Sequence, residues 1–471
     1  MNETVKISNN LIIKTIHGER FTPFSLCKKL KASALLESAS FWGGKSRFSI
    51  ILEREAFKVF QTGTDIYLEM DGRIHRLRSK VKDVLELVDY FSSQHKNPES
   101  GFPFPAGGIG YIGYEYCRFF DEINLDEKPD ETKIPDALFI FGHTFLIFDH
   151  FTDTITLLGL NYKEHSINLE KAIEELERRL HDLDFNYLYI PEVDYPSIPL
   201  NLHSGREKFI RGVEKVRREI IKGNLLQGVL SNRIKIRTEI PALEAYRKLR
   251  SLNPSPYMFY IDCKRFQLFG SSPEVHIRVK GKKATIRPIA GTRKRGKTPE
   301  EDKKLEEELL NDEKEIAEHL MLIDLARNDL GRVCKPGSVE VTEYMGIENY
   351  SHVMHIVSQV DGELDSGKTG LDALRMSFPA GTVSGAPKIR AIEIINKLEE
   401  VKRGFYAGIV GYFEPGGTLD TCITIRSALK IDDILYLQAG AGVVYDSKPE
   451  REYEEICEKL RALCLSLGIE I

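Results

Sequence analysis

Strand-like and helical runs occur in clusters along this chain, and this arrangement constrains its fold more than any other feature. Residues 278–287 form a hairpin-like pattern, and residues 420–431 form successive strand-like runs. Helical patterns stand apart from them, at residues 299–329 and 450–467. Because a parallel sheet requires strands and helices to alternate strictly, the clustering predicts an α+β protein whose sheets are largely antiparallel.

A proline-rich segment divides the chain. Three prolines fall within residues 190–199, and such density is typical of a boundary. A capping-box spacing at residues 204–207 then predicts the start of a helix that Gly223 ends. We therefore predict an N-terminal domain over residues 1–190, a linker over 191–204 and a C-terminal domain over 205–471.

Composition excludes several classes of function. The formal net charge of −5 and the absence of a long basic run argue against a nucleic-acid partner. No apolar stretch reaches the length of a membrane span, and no secretory signal is visible. The seven cysteines are scattered and odd in number, which is typical of reduced thiols in the cytoplasm.

A glycine motif at residues 108–113 matches the dinucleotide-binding fingerprint but lacks its context. That fingerprint lies between a strand and a helix, whereas this one follows Phe102-Pro-Phe-Pro105. We interpret it as a turn or a point of close backbone packing.

Acidic residues on two predicted helices are candidates for a metal site. Glu452, Glu455 and Lys459 share one face of the last helix, which follows a glycine-rich strand end at residues 438–444. Carboxylates beside exposed backbone N–H groups can hold a hard cation and an anionic ligand together. The alternative is an ion-paired, solvated helix face. Glu318 lies on the second acidic helix. The alternative to a metal site is that this helix is an ordinary amphipathic helix.

Two further segments are suggestive. His355 lies in an apolar run and is a candidate site residue. The alternative is a core histidine whose ring nitrogens are satisfied by hydrogen bonds. A small-residue loop at 378–387 precedes a helix at 388–397, whose N-terminus is in principle an anion site. Residue spacing alone thus predicts an α+β protein with possible metal and carboxylate sites, and it identifies no substrate.

Taken together, ordered motifs over residues 205–465 resemble the chorismate-utilising enzymes, and most closely the branch that makes anthranilate. The matching segments are 227–233, 253–260, 270–274, 287–293, 318–330, 350–355, 381–388, 420–426 and the strand with Gly440 and Gly442. Residues 35–38 and 107–113 match more weakly. The resemblance implies two packed, largely antiparallel sheets flanked by helices, an α/β/β/α sandwich.

The resemblance also implies a Mg²⁺-dependent chorismate site. It makes Glu318 and Glu455 metal ligands, with Glu452 completing the acidic face. The ring carboxylate of chorismate would bind the ion, and the enolpyruvyl carboxylate would be held by Arg426, whose planar fork suits a carboxylate. The other substrate-binding positions it implies are Ala290, Gly291, Thr292, Tyr406, Gly440, Ala441, Gly442 and Lys459.

The implied chemistry has two steps. Glu274 donates a proton to the departing C4 hydroxyl while ammonia attacks ring carbon C2. A carboxyl group among other acids is expected to have a raised pKa, as a proton donor requires. Pyruvate is then eliminated with the help of His355, and Thr382 lines the ring pocket.

Two positions discriminate within the family. Relatives that use water carry a lysine base where this chain has Gln227, and many that make aminodeoxychorismate carry a nucleophilic lysine at Ala290. Both substitutions favour direct amination of chorismate followed by loss of pyruvate, the first committed step of tryptophan biosynthesis. The alternative is aminodeoxychorismate synthase component I of the folate pathway. A regulator that only binds chorismate or tryptophan is disfavoured because it would not need the acid Glu274.

The resemblance further implies a partner and an inhibitor. The chain has no Gly-x-Cys-x-Gly glutaminase setting, so we expect a separate glutamine amidotransferase subunit to supply ammonia. Feedback inhibition by tryptophan is expected at Ser38, Pro256, Tyr257 and Met258, although the prolines alternatively only shape a turn.

Overall fold

The structure is a computed structural model that describes residues 3–38, 47–78, 81–98, 101–182, 193–349 and 353–470. Its 23 described strands all pair antiparallel. They are β1 (Glu3–Ser8), β2 (Leu11–His17), β3 (Ala34–Glu37), β4 (Phe48–Thr62), β5 (Asp65–Met70), β6 (Arg73–Arg76), β7 (Ile109–Ile112), β8 (Ala137–Asp149), β9 (Thr154–Leu160), β10 (Ser197–Pro199), β11 (Gln227–Thr238), β12 (Tyr257–Asp262), β13 (Gln267–Ser272), β14 (Val275–Lys280), β15 (Lys283–Ile286), β16 (Ile289–Lys294), β17 (Glu340–Asn349), β18 (Val353–Glu363), β19 (Gly385–Ala386), β20 (Ile409–Phe413), β21 (Leu419–Ile423), β22 (Ser427–Ile431) and β23 (Ile434–Val443).

The helices that flank these strands are short to medium in length. They are α1 (Pro23–Leu30), α2 (Val84–Ser92), α3 (Leu169–His181), α4 (Leu202–Ile221), α5 (Ala242–Leu252), α6 (Pro299–Leu310), α7 (Glu313–Gly331), α8 (Gly370–Ser377), α9 (Lys388–Leu398) and α10 (Pro449–Ser466). Short stretches of 3₁₀ helix lie at Tyr114–Phe119, Gly381–Val383 and Pro415–Gly417.

The long strands β4 and β8 divide the strand network into two layers. Their pairing register shifts between Leu52 and Phe57, and bulges of this kind bend strands. The first half of β4 pairs with β3 and the second half with β5. The first half of β8 pairs with β7 and the second half with β9. The first layer therefore runs β1-β2-β9-β8-β4-β3-β12-β13-β22-β23-β11-β10, and the second β6-β5-β4-β8-β7-β20-β21-β14-β15-β18-β17.

Alternation of buried side chains along the strands shows what covers each face. In β12, Phe259 and Ile261 belong to a core that also contains Ile409 of the second layer. Met258 and Tyr260 point the other way, into a core that they share with residues of α1, α3, α4, α5 and α10. A strand buried on both faces must lie in the interior of a layered fold. The predicted α+β sandwich is thus confirmed.

Two local predictions needed correction, and a third is confirmed. Helix α4 begins at Leu202 and not at Ser204, because the Asn201 side chain binds the backbone of β11 and Ser204 lies within the first turn. The helix predicted at 299–329 is two helices, since Asp312 caps a new one by accepting from the Lys314 and Glu315 amides. The hairpin within residues 278–287 is confirmed as β14–β15.

The glycine motif at 108–113 provides close packing, as predicted. A Cβ atom added at Gly110 in β7 would lie 2.1 Å from the carbonyl oxygen of Leu138 in β8. The motif is part of an antiparallel strand followed by a 3₁₀ turn, so it does not form a dinucleotide-binding crossover.

Strands from residues 1–190 and 205–471 pair with each other in both layers, through β3–β12 and β7–β20. The predicted linker contributes β10, which pairs with β11. Within the described ranges, no helix combines the length and apolar character required to cross a membrane.

Candidate active site

Two of the predicted site residues, Glu274 and Arg426, lie where the chain crosses from one layer to the other. Glu274 occupies the turn between β13 of the first layer and β14 of the second, and Arg426 occupies the turn between β21 and β22. The two turns are joined by backbone hydrogen bonds, from Ile423 N to Glu274 O at 3.0 Å and from Ser271 N to Arg426 O at 3.0 Å. This junction holds a carboxyl and a guanidinium group in a fixed relationship, although they are about 150 residues apart in sequence.

Glu274 is equipped to donate a proton. Its side chain is buried, and burial raises its pKa to about 8. The positive charges of Lys459 and Arg426 and the hydroxyl of Thr382 act in the opposite direction, without cancelling the effect of burial. The Thr382 hydroxyl faces the carboxyl, but its geometry falls short of a full hydrogen bond. Glu274 is therefore protonated at neutral pH.

Arg426 is half-buried and presents its guanidinium group at this junction. It has a left-handed φ of 50°, and within the described residues its side chain forms no ion pair or hydrogen bond. The nearest charges that act on it are those of Tyr406, Glu455 and Glu274, and burial lowers its pKa. Because an unpaired buried charge is costly, the site is arranged for an anionic ligand, and a carboxylate fits the guanidinium fork.

The glycines of β23 leave room for two polar side chains. A Cβ atom at Gly440 would lie 2.9 Å from the hydroxyl of Tyr406, and one at Gly442 would lie 2.6 Å from Nε2 of Gln227. The backbone of Gly440 hydrogen-bonds to Tyr406, whose pKa burial raises to about 12. Ala441, between the glycines, points its side chain into the helix-covered core, so only its backbone can serve a ligand.

Carboxylates from α7 and α10 face each other beside these glycines. Glu318 accepts a 2.9 Å hydrogen bond from Gln227 Nε2, and burial together with the charges of Glu315 and Glu455 raises its pKa. Burial and Glu455 likewise raise the pKa of Glu452. Mutual repulsion of this kind means that Glu318, Glu452 and Glu455 share one electrostatic environment.

Lys459 connects this acidic group to the strand. Its ammonium group donates to the Gly440 carbonyl at 2.8 Å and forms a 2.5 Å ion pair with Glu455, which is half-exposed. No group of three or more acidic, histidine or cysteine side chains in the described ranges lies close enough to enclose a metal ion by itself. A cation at this face would need further oxygen ligands from water or from a bound anion.

His355 lies on β18, opposite a bulge in β16 at residues 290–292. Its Nδ1 lies 2.9 Å from the Gly291 carbonyl oxygen and 3.0 Å from the Thr292 hydroxyl. Because the carbonyl can only accept, we assign the proton to Nδ1, which makes Nε2 the basic nitrogen. Burial lowers the pKa of His355 to about 4, and the charges of Arg426 and Lys459 contribute in the same direction. Ala290 precedes the bulge and adds no functional group.

The structure thus brings most of the predicted residues into one region. Electrostatic interactions join Glu274, Arg426, Lys459 and His355, and Tyr406 packs against Gly440. The four residues predicted for tryptophan lie elsewhere, on the wall of a 520 Å³ cavity described below.

Arg403 is a site residue that sequence reasoning missed. It is 1% exposed, and it donates to the carbonyls of Val383 at 2.7 Å and Val229 at 2.6 Å. Its guanidinium carbon lies 5.8 Å from the centre of the Tyr406 ring, and Glu399 neutralises its charge. It thereby fixes the turn that carries Thr382. In sequence it is one of two adjacent basic residues before a glycine, a pattern that resembles a surface turn.

The 520 Å³ cavity lies between the two layers and is separate from Glu274 and Arg426. Ser38, Pro256, Tyr257 and Met258 all line it. Its polar wall is rigid, because the Tyr257 hydroxyl donates to Asp420 at 2.8 Å and Arg278 contacts both. A cavity of this size admits a small organic molecule.

Similarity to known proteins agrees with this geometry and defines the class of the protein. The family model for chorismate binding enzymes matches residues 47–464. The chain belongs to this family.

Individual relatives show which members of the family this chain is similar to. The chain is 56% identical over 463 residues to anthranilate synthase component 1 of Spirochaeta aurantia, covering 98% of this chain and 96% of that one. It is 40% identical to anthranilate synthase component 1 of Aquifex aeolicus, covering 100% and 97%. The crystal structure of anthranilate synthase component I from Streptococcus pneumoniae matches with a TM-score of 0.79 and 37% identity, over 89% of this chain and 92% of that chain.

Proposed function

We propose that this protein aminates chorismate with ammonia and eliminates pyruvate to release anthranilate, acting as the chorismate-converting subunit of an anthranilate synthase. The observation that carries the proposal is the pairing of a protonated Glu274 with an unpartnered Arg426 at one junction. Full-length similarity to anthranilate synthase component 1 supports the same reaction.

Binding and the first bond changes follow from these residues. Arg426 and the backbone around Gly440 hold the enolpyruvyl carboxylate of chorismate. Glu274 transfers its proton to the C4 hydroxyl, which departs as water while the nitrogen of ammonia forms a bond to C2. The buried carboxyl favours this transfer because its proton is available at neutral pH.

Elimination of pyruvate restores the aromatic ring. The C2 hydrogen must leave as a proton while the C3–O bond breaks, and Nε2 of His355 is the basic nitrogen at the site. A low pKa keeps this imidazole neutral and able to accept. The enolpyruvyl group takes up a proton and leaves as pyruvate.

Gln227 and Ala290 favour ammonia as the direct nucleophile. An amide cannot deprotonate water, and the Gln227 side chain is already committed to Glu318 at 2.9 Å. Ala290 has no amine with which to attack C2. Aminodeoxychorismate synthase, which retains the enolpyruvyl group, is therefore not favoured.

Mg²⁺ is the proposed cofactor. The donors fit this ion, since Mg²⁺ uses few carboxylates, retains water and takes an anionic substrate group. Glu318, Glu452 and Glu455 would hold it. Burial and the negative charge of Glu455 raise the pKa of Glu318 and Glu452, and a bound cation would offset that charge. When bound, the ion would neutralise the ring carboxylate of chorismate.

We also propose a separate glutamine amidotransferase subunit as the ammonia source. All seven cysteines have a raised pKa, chiefly through burial, and six of the seven are buried. Raised thiol pKa values do not suit a glutaminase nucleophile. A cytoplasmic location agrees with seven free thiols.

Tryptophan is the proposed inhibitor, bound in the 520 Å³ cavity. Leu36 and Pro256 offer apolar contacts for an indole ring, and Ser38 offers a polar group for an amino acid. Tyr257 and Met258 also line the cavity, although the Met258 side chain points into the helix-covered core. The proposal rests on the convergence of these residues on one cavity.

The function is tested by incubating the purified chain with chorismate, Mg²⁺ and ¹⁵N-ammonium at a pH no higher than about 8, where Glu274 keeps its proton. Fluorescence and mass should identify ¹⁵N-anthranilate together with one equivalent of pyruvate. A labelled product that keeps the enolpyruvyl group would contradict the proposal, as would an unlabelled hydroxylated product.

A further inference from the structure

A small cavity adjoins the proposed general acid. Its volume is about 30 Å³, and Glu274 and Thr382 line it on one side. Asp329, His276 and Ser377 also reach its wall, which is otherwise mostly apolar. A cavity of this volume has room for one or two water molecules when polar partners are present.

The cavity contains an unsatisfied hydroxyl group. Oγ1 of Thr382 is buried and has no hydrogen-bond partner within the described residues. Buried hydroxyls are rarely left unpaired, and a water molecule in the adjoining cavity would satisfy this one. The same water would lie within reach of Glu274, whose carboxyl faces Thr382.

Asp329 lines this cavity and forms an ion pair with Lys388. The Lys388 ammonium group lies 2.8 and 2.7 Å from the two Asp329 oxygens and 3.1 Å from the Ser377 carbonyl. The Lys388 and Asp329 side chains are 11% and 10% exposed, so the pair reaches solvent, and Asp329 also lines the cavity. Arg332 forms an ion pair with Asp121, and its positive charge lowers the pKa of Asp329.

Protonation of these groups is compatible with proton transfer. Burial raises the pKa of Asp329 to about 6, against the opposing charges of Lys388 and Arg332, whereas Asp121 acts in the same direction as burial. Burial and Lys388 lower the pKa of His276 to about 3, so this ring stays neutral and can only orient the water.

We propose that Asp329 returns a proton to Glu274 through water in this cavity after each turnover. The inference rests on the proposed function, in which Glu274 loses its proton to the departing hydroxyl. A proton from bulk solvent binds Asp329, Asp329 protonates the cavity water, and that water gives one of its own protons to the Glu274 carboxylate. The proton that ammonia releases on bonding to C2 leaves by the substrate side, so charge balances and no oxidant or reductant is needed.

The test separates the first turnover from later ones. The double variant Asp329→Asn/Lys388→Met removes the relay together with its counter-charge, so no buried charge is left unpaired. A matched control, Glu363→Gln/Lys335→Met, removes an exposed ion pair of 2.5 Å away from the cavity. Rapid-quench measurements use the full chain with chorismate, ammonium and Mg²⁺, and they compare the first-turnover rate with the steady-state rate.

We expect the first turnover of the relay variant to stay within about twofold of the wild type while its steady state slows about tenfold, giving a burst near one product per site. The control should show neither change. Equal slowing of both phases would overturn the relay and indicate a structural role, and unchanged rates would overturn it as well. Failure of the wild type to form anthranilate would instead refute the proposed function.

A second variant guards against misfolding. Ala326→Val places two extra methyl groups at a residue that lines the cavity, and it removes no charge. It should produce the same burst by excluding water. Normal steady-state turnover in a folded Ala326→Val variant, with the cavity shown to be filled, would contradict the proposal.

Discussion

Nε2 of Gln227 donates a 2.9 Å hydrogen bond to Oε1 of Glu318, and this contact links the first strand of the predicted C-terminal domain to the acidic face of α7. The amide serves as a positioning group for a carboxylate proposed to bind Mg²⁺. Groups that orient metal ligands in this way typically contribute about 10- to 100-fold to metal affinity.

Gln227→Leu should therefore weaken Mg²⁺ activation. We expect the half-saturating Mg²⁺ concentration to rise about tenfold, with little change in the rate at saturating Mg²⁺. Asn224→Leu is a matched control because it removes a 2.7 Å amide–carboxylate bond to Glu219, outside the site. Titration of activity with Mg²⁺ measures both variants, and an unchanged midpoint for Gln227→Leu would exclude the positioning role.

The pH dependence should follow Glu274. Its folded pKa of about 8 lies above the usual value of 4.5, so the acid is protonated and active below pH 8. Activity is expected to fall as the pH rises through about 8, at constant free ammonia, because the proton donor is lost. A profile that stays flat to pH 9.5 would contradict this assignment.

The same raised pKa has a consequence for stability. Between pH 4.5 and 8 the folded state binds a proton at Glu274 that the unfolded state has released, so this group lowers the free energy of unfolding as pH rises. Glu274→Gln removes that effect. Its melting temperature should exceed that of the wild type at pH 9, with a smaller difference at pH 5; the reverse order would exclude a desolvated carboxyl.

Arg426 and Arg403 should respond oppositely to truncation. Arg426 has no partner among the described side chains, so Arg426→Met is expected to raise the free energy of unfolding by about 1 kcal/mol while weakening chorismate binding at least 100-fold. Arg403 is fully paired with Glu399 and two carbonyls, so Arg403→Met should destabilise by about 3–5 kcal/mol. Denaturant unfolding and ligand titration measure these quantities, and equal destabilisation would contradict the contrast.

Tryptophan should bind the 520 Å³ cavity and stabilise the fold. At 100 times its dissociation constant, a ligand specific for the folded state adds about 2.7 kcal/mol. Leu36→Ala/Pro256→Ala should abolish the thermal shift and the inhibition together, whereas Tyr90→Phe, at an exposed tyrosine that does not line the cavity, should not. A shift that survives the double variant would place the ligand elsewhere.

The layered fold was predictable because strand clustering and motif order are local properties of the sequence. Helix boundaries were less predictable. Asn201 and Asp312 decide them through side-chain contacts, one with a distant strand and one within its own turn. For the site, the ordered motifs supplied Glu274 and Arg426, but no local signal marked Arg403, whose partners at Val229 and Val383 are brought to it only by the folded sheet.

The central claim is that Glu274 acts as the proton donor within a chorismate site formed by Arg426 and the acidic face of α10. Glu274→Gln tests it most directly, with chorismate binding and turnover measured on the same folded preparation in the presence of Mg²⁺ and ammonium. The account predicts binding within about threefold of the wild type and turnover reduced by about 100- to 10,000-fold. Turnover near the wild-type rate, with chorismate bound as before, would contradict it.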